Sequence, residues 1–140
     1  SFNNQNSGLI KDLIPAYFTP YSTGRNADIW ASYMICKIAS IHKKTIVFGK
    51  PIVRQIRNPH NLFKDLHDEF QNDRLTDFFV EFLKDQNIKK GINFKDTCKM
   101  ICENSIKLLK NPKNYRLNQK DRKYILSFFK EYLNWISLFK

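Results

Sequence analysis

Apolar side chains recur every three or four residues along most of the chain, which is the spacing of one face of an α-helix. This pattern predicts five helices, over residues 26–42, 62–70, 73–84, 94–109 and 118–139. Asn26 is placed to cap the first helix, and Asp28 lies in its first turn, where the helix dipole favours a carboxylate. Asn72 or Asp73 is placed to cap the third.

The first 60 residues have a different pattern. Residues 1–24 are polar and interrupted by prolines, which is typical of irregular structure. Short apolar runs at 45–48 and 52–55 predict two strands around a turn at 49–51. Since two short strands are marginally stable alone, we expect them to belong to a larger sheet. We therefore predict a mostly helical α+β chain, with a fragment of one domain over 1–60 and a helical extension over 61–140.

Composition supports a folded chain. Of the 140 residues, 42% are hydrophobic, which is enough for one core and argues against a disordered tail. No apolar run approaches the ~20 residues that a membrane span needs. The chain begins with Ser1 instead of Met, so we expect a fragment of a longer protein.

Charge raises a second set of possibilities. Lys and Arg number 24 against 13 Asp and Glu, giving a net charge of +11. The densest basic stretch runs over 107–123, with Asp121 as its only acid. It is either a solvated face or a patch that attracts nucleic acid, anionic lipid or nucleotide phosphates. The aromatic stripe of the last helix either packs on its neighbours or lies on a membrane surface.

The cysteines indicate a reducing environment. Three of them (Cys36, Cys98 and Cys102) argue against a disulfide scaffold, so we expect a cytoplasmic location, with peripheral membrane association as the alternative. Cys98 and Cys102 are four residues apart and share one helix face. They form either half of a metal site or two small core residues.

No complete catalytic motif is present. Polar clusters occur at 3–6, 24–30 and 54–60, and the middle one is the most informative. A carboxylate in the first turn of a helix, directly after a glycine loop, can be held towards a cleft, and Trp30 beside Asp28 could form an apolar wall for a sugar ring. The alternative is that Asp28 only complements the helix dipole and that Trp30 is a core residue.

The middle cluster resembles known sequences. Gly-Arg-Asn-Ala-Asp-Ile-Trp-Ala-Ser-Tyr at 24–33 is similar to a segment of the reversibly glycosylated polypeptides, which are UDP-arabinopyranose mutases, and equally to the STELLO-like glycosyltransferases. Phe-Gly-Lys-Pro at 48–51, the Gln-x-Arg-Asn-Pro-His loop at 55–60 and Asn-Gln-Asn at 4–6 extend the resemblance. It covers roughly residues 3–70, and from Asp73 onward we find no resemblance.

This resemblance implies the C-terminal half of a GT-A-type glycosyltransferase fold, with the nucleotide-binding half and its metal-binding Asp-x-Asp missing. Asp28 would then be the catalytic carboxylate, and His60 a metal contact. Arg54 and Arg57 would neutralise the leaving diphosphate. The full set of implied substrate-binding residues is Asn4, Gln5, Asn6, Arg25, Trp30, Arg54 and Arg57.

The implied function is glycosyl transfer from a nucleotide sugar to a carbohydrate acceptor, or a sugar-nucleotide mutase reaction, with Mn²⁺ or Mg²⁺ bound through the missing half. We expect this fragment to be inactive alone. The family often has two consecutive acids here, and Ala27 replaces the first, so an altered or inactive site is a further possibility. The alternative function is a non-enzymatic basic helical module that binds an anionic membrane or nucleic acid. Nucleic acid is not the expected partner, because the aromatic residues have the spacing of a core.

Overall fold

The computed structural model describes residues 7–50, 52–54, 56, 59 and 61–139. Four α-helices carry the fold: α1 (Ala27–Ile41), α2 (Leu62–Asp85), α3 (Phe94–Lys110) and α4 (Gln119–Ile136). Two short 3₁₀ helices are present: Lys11–Ala16 lies within the stretch 1–24 that the sequence predicts to be irregular, and Tyr21–Asn26 crosses its end. The predictions of α1, α3 and α4 are confirmed to within a few residues.

Asparagine side chains fix the starts of three helices. The side chains of Asn61, Asn93 and Asn118 each accept a hydrogen bond from the backbone N–H three residues later, at 3.1, 2.8 and 2.8 Å. Each bond satisfies one of the amide groups that the first turn of a helix leaves without an intrahelical partner.

The prediction of two helices over 62–70 and 73–84 is wrong, because α2 is continuous. Asn72, which the sequence offers as a cap between them, is 2% exposed in the middle of α2. Its side-chain amide donates to the backbone carbonyl of Thr23 at 2.8 Å, so it serves a tertiary contact instead of a helix end.

All four helices share one core. α3 and α4 form an antiparallel hairpin, since Lys95 Nζ donates to the carbonyl of Phe139 near one end and Arg122 Nη1 to that of Leu109 near the other. The largest fully buried side chains come from every helix: Trp30, Met34, Ile35, Ile38, Phe79, Phe82, Ile101, Leu109, Ile125, Phe128, Phe129 and Tyr132. The aromatic stripe of α4 therefore packs inside the protein, and its placement on a membrane surface is wrong.

The predicted strands are not found in the described residues. Residues 44–50 and 52–54 have no regular secondary structure, and Gln55 lies outside the described residues. Most of their apolar side chains are exposed, with Val47 at 82% and Ile52 at 85%, whereas Ile46 is partly buried against the core. A strand needs a partner for its backbone groups, and the described part of the chain offers no other strand. This part is helical instead of α+β, and no sheet of a GT-A fold is seen in it.

The core also crosses the predicted domain boundary. Trp30 and Ile38, from the predicted fragment over 1–60, pack with residues of the helical extension over 61–140 in one cluster. The division into a glycosyltransferase fragment and an extension stays a prediction about the whole protein.

An ion pair between exposed Arg74 and a buried carboxylate joins α2 to the start of α4. Arg74 donates to Asp121, which is 3% exposed, and Asn118 Nδ2 donates to Asp121 Oδ2 at 2.7 Å. The hydrogen bond from Arg74, more than any other interaction, lowers the pKa of Asp121. A carboxylate with a lowered pKa stabilises the folded state above its unfolded pKa, about 3.9, and this contribution is lost as the pH falls through the folded pKa.

We therefore expect Asp121→Asn to lower the free energy of unfolding by about 2 kcal/mol at pH 7. The difference from the unmodified protein should hold from pH 7 to pH 5 and shrink below about pH 4, where Asp121 becomes protonated first in the unfolded chain and then, below its lowered pKa, in the folded protein. Urea unfolding followed by circular dichroism at each pH measures it. Asp77→Asn, an exposed change on α2, is the control and should leave stability within about 0.5 kcal/mol. A pH-independent difference for Asp121→Asn would contradict this account.

Candidate functional site

A glycine turn sets the direction in which α1 begins. Gly24 has φ +64° and ψ −143°, within the second 3₁₀ helix. Side chains with a Cβ are strained at this combination of angles, so the position requires glycine. The turn places Arg25 and Asp28 at the amino end of α1.

A buried cluster of polar groups holds the Gly24 turn in place. Thr23 is 1% exposed, and its carbonyl accepts hydrogen bonds from Asn72 Nδ2 at 2.8 Å and from the Tyr124 hydroxyl at 2.9 Å. The single hydrogen of the Tyr124 hydroxyl is shared between this carbonyl and Asn72 Oδ1. Burial raises the pKa of Tyr124 to about 12, so this hydroxyl stays protonated at neutral pH. The cluster joins the turn to α2 and α4. The sequence offered no signal for it, because its members are 49 and 101 residues from Thr23.

Asp28 lies half-buried in the first turn of α1. Its Oδ1 accepts the backbone N–H of Ile29 at 2.9 Å. Its charge adds to burial in raising the pKa of Tyr17, so the two side chains are close to each other. The predicted position at the start of the helix is confirmed. Two surface grooves, one along α3 and one between α1 and α2, do not include Asp28 in their linings.

Trp30 is a core residue, and its prediction as an open apolar wall needs correction. The indole is 0% exposed and stacks on Phe79 with ring centroids 4.1 Å apart. Its Nε1 donates to the Thr76 hydroxyl at 2.9 Å. Because neighbouring side chains cover the ring, it has no face open to a sugar in this structure.

Arg25 joins the start of α1 to α2. Its Nε lies 3.0 Å from Glu69 Oε1, and its Nη1 donates to Asp65 Oδ1. Asp65 and Glu69 are four residues apart and therefore lie on one face of α2. That spacing is visible in the sequence, but it does not identify Arg25 as the partner. The substrate-binding role of Arg25 stays a prediction.

The remaining predicted site residues divide into two groups. Arg54 is exposed, and its role stays a prediction. The others lie outside the described residues, so the structure does not test them: Asn4, Gln5, Asn6, Arg57 and His60.

The described residues give no metal site. They contain no group of three or more His, Cys, Asp and Glu side chains that could hold an ion. Cys98 and Cys102 are both 0% exposed, and burial raises the pKa of the Cys102 thiol well above its ordinary value. A thiol must lose its proton to bind a metal, so these two cysteines act as the small core residues of the second interpretation.

Among the helices of the described residues, none combines the length and the apolar character needed to cross a bilayer.

Comparison with known sequences gives the class of protein. The sequence profile described as STELLO glycosyltransferases matches residues 25–138. This range starts at Arg25 and continues through all four helices, so it includes the helical part for which the sequence analysis found no relative. No curated protein matches the chain.

The match defines a glycosyltransferase-like chain, of a class that uses a nucleotide-sugar donor and an acceptor. Because the profile covers well over half of the sequence, the chain belongs to the STELLO glycosyltransferase family. The predicted resemblance to STELLO-like proteins is confirmed.

The Gly24 turn can be tested directly. Gly24→Ala should lower the free energy of unfolding by about 1–3 kcal/mol, because alanine is strained at φ +64°. Gly49→Ala is the matched control, since a Cβ at Gly49 would meet no atom within 4 Å and its φ is not positive. Thermal and urea unfolding of both variants measure the difference. Equal stability of the two variants would contradict the requirement for glycine at position 24.

Proposed function

We propose that this chain is the acceptor-side part of a nucleotide-sugar-dependent glycosyltransferase, with Asp28 as its catalytic carboxylate. The family match over residues 25–138 is the observation that carries the proposal. The position of Asp28 supports it, because the Gly24 turn and the buried cluster around Thr23 hold the start of α1 in one orientation.

The chemistry assigned to Asp28 is general-base catalysis. An acceptor hydroxyl attacks the anomeric carbon of the donor sugar, and its proton passes to the Asp28 carboxylate. The new glycosidic bond forms as the bond from the anomeric carbon to the diphosphate breaks, and the nucleotide leaves with the electron pair. Oδ1 is used by the Ile29 N–H, so we assign the proton to the other carboxylate oxygen.

The other predicted site residues have supporting roles in this proposal. Arg54 and Arg57 balance the charge of the leaving diphosphate. Asn4, Gln5, Asn6 and Arg25 hold the sugar or acceptor by hydrogen bonds. Mn²⁺ or Mg²⁺ would be held mainly by the nucleotide-binding part, with His60 as a contact. The described residues offer no metal cluster, so no step is assigned to the metal.

An exposed apolar surface is where we place the nucleotide-binding part, in which the GT-A sheet would lie. On α2, Phe63, Leu66 and Phe70 are 87%, 59% and 60% exposed and share one helix face by their spacing. More exposed apolar residues precede them in the chain: Val47, Phe48, Ile52, Val53, Ile56 and Leu62. An exposed apolar helix face of this kind is typical of an interface.

This surface lies next to the residues of α2 that bind Arg25. Arg25 lies three residues before Asp28 and pairs with Asp65 and Glu69, which alternate along α2 with the exposed Leu66 and Phe70. A domain seated on the apolar face of α2 would therefore reach the start of α1. In this proposal the catalytic cleft is completed by that domain, and Asp28 becomes one wall of it.

The experiment compares two conservative variants in the protein expressed at its full natural length. Asp28→Asn removes the base and should lower kcat for transfer from a UDP-sugar by about 10²–10⁴-fold. Asp96→Asn is the matched control, because Asp96 is also half-buried in the first turn of a helix, α3. Transfer is measured as labelled sugar in the acceptor together with released nucleotide.

Equal activity of the two variants would contradict the role of Asp28. Conversion of the donor into an isomeric nucleotide sugar, without transfer or nucleotide release, would identify a mutase and overturn the transferase assignment. Thermal unfolding of both variants shows whether a lost activity reflects lost folding.

A further inference from the structure

Basic side chains gather at one end of the α3–α4 hairpin. Six exposed cations lie on the last turns of α3, the connecting loop and the first turns of α4: Lys107, Lys110, Lys113, Arg116, Lys120 and Lys123. We call this group the basic end. Since the two helices are antiparallel, the end of α3 and the start of α4 meet there. We propose that the basic end binds the surface of an anionic phospholipid membrane.

The cations of the basic end are available for such a partner. None of the six has an ion-pair partner within the described part of the chain. Asp121, the acid within this stretch, is buried and bound to Arg74, and of the six cations it interacts electrostatically with Lys120. Clusters of four to eight Lys and Arg residues beside a membrane are typical of binding to anionic lipid.

Arg122, in the same stretch, has a structural role instead. Its guanidinium donates to the carbonyls of Leu109, Asn111, Pro112 and Tyr115, and thereby closes the end of α3 and the loop. The basic end is therefore presented by a loop held in a defined shape. We leave Arg122 out of the proposed membrane contact.

An apolar groove begins at the basic end and favours lipid as the ligand. The groove, of about 580 Å³, runs along α3 beside α4, with Lys107 and Lys110 at its edge and Ile106 and Leu133 as its apolar lining. Glu103 also lines it and lies 3.9 Å from Lys99. Cations beside an apolar groove match a phospholipid, whose phosphate is anionic and whose adjoining glycerol and acyl groups are apolar.

Nucleic acid fits this surface less well. Proteins that bind single strands offer aromatic faces on which bases stack. Tyr115, the aromatic residue in the loop, is half-buried and meets Phe78 and Phe82 edge to face at 5.6 and 5.2 Å. It is part of the core packing and offers no stacking platform.

The test is sedimentation of the purified chain with two kinds of vesicle. One is phosphatidylcholine alone, and the other is phosphatidylcholine with 30% phosphatidylserine, which gives a roughly physiological surface charge. Binding should require phosphatidylserine and weaken as salt is raised. The triple variant Lys107→Gln, Lys110→Gln, Lys113→Gln should lower the partition coefficient by about a hundredfold, from roughly fivefold for each lysine.

A matched triple variant separates the basic end from total charge. Lys44, Lys89 and Lys90 are also exposed, and changing all three to Gln removes the same charge. Lys44 and Lys90 lie near His42, whose Nε2 is 2.7 Å from the Thr97 hydroxyl, so they are at the other end of α3. The partition coefficient of this control variant should fall by less than tenfold.

Four outcomes would overturn the proposal. The first two are an absence of binding to phosphatidylserine vesicles and an equal loss of binding in both triple variants. The other two are tighter binding of a single-stranded oligonucleotide at the same salt, and displacement from vesicles by inorganic phosphate at the lipid phosphate concentration. The last would indicate a site for free phosphate. Because the test measures only partitioning, its result is independent of the transferase assignment.

Discussion

The buried carbonyl of Thr23 is the constraint on which the candidate site depends. A carbonyl taken out of water must find hydrogen-bond donors, and here Asn72 of α2 and Tyr124 of α4 supply them. These bonds hold the chain immediately before Gly24, and the backbone angles of Gly24 then turn it into α1. The orientation of the start of α1, which carries Asp28, is thus set by residues about 50 and 100 positions further along the chain.

The same arrangement explains which parts of the fold the sequence could predict. Helices α1, α3 and α4 follow from apolar spacing, because each buries one face in a shared core. Asn72 is predicted as a helix cap because asparagine and aspartate are common at helix starts. Inside α2 it instead donates a hydrogen bond to the distant Thr23 carbonyl. A local pattern cannot contain that partner.

The site was predicted in part for a similar reason. The first-turn position of Asp28 is a local property, and the structure has it there. The environment of Trp30 is not local, because Phe79, which covers its ring, comes from α2. Apolar β-branched residues at 45–48 and 52–55 favour strands only when other strands are present to pair with them. In the described residues, they have none.

The length of α2 connects the core to the proposed interface. With 24 residues, it is about 36 Å long, against 17 and 18 residues for α3 and α4. Arg74 is level with the start of α4, because it binds Asp121 there, so the first 12 residues of α2 extend some 18 Å past that point. On that extension Phe63, Leu66 and Phe70 remain exposed. Arg25 holds it beside the start of α1. A domain that covered this face would remove apolar surface from water and approach Asp28 in the same step, which makes docking and completion of the cleft one event in the proposed mechanism.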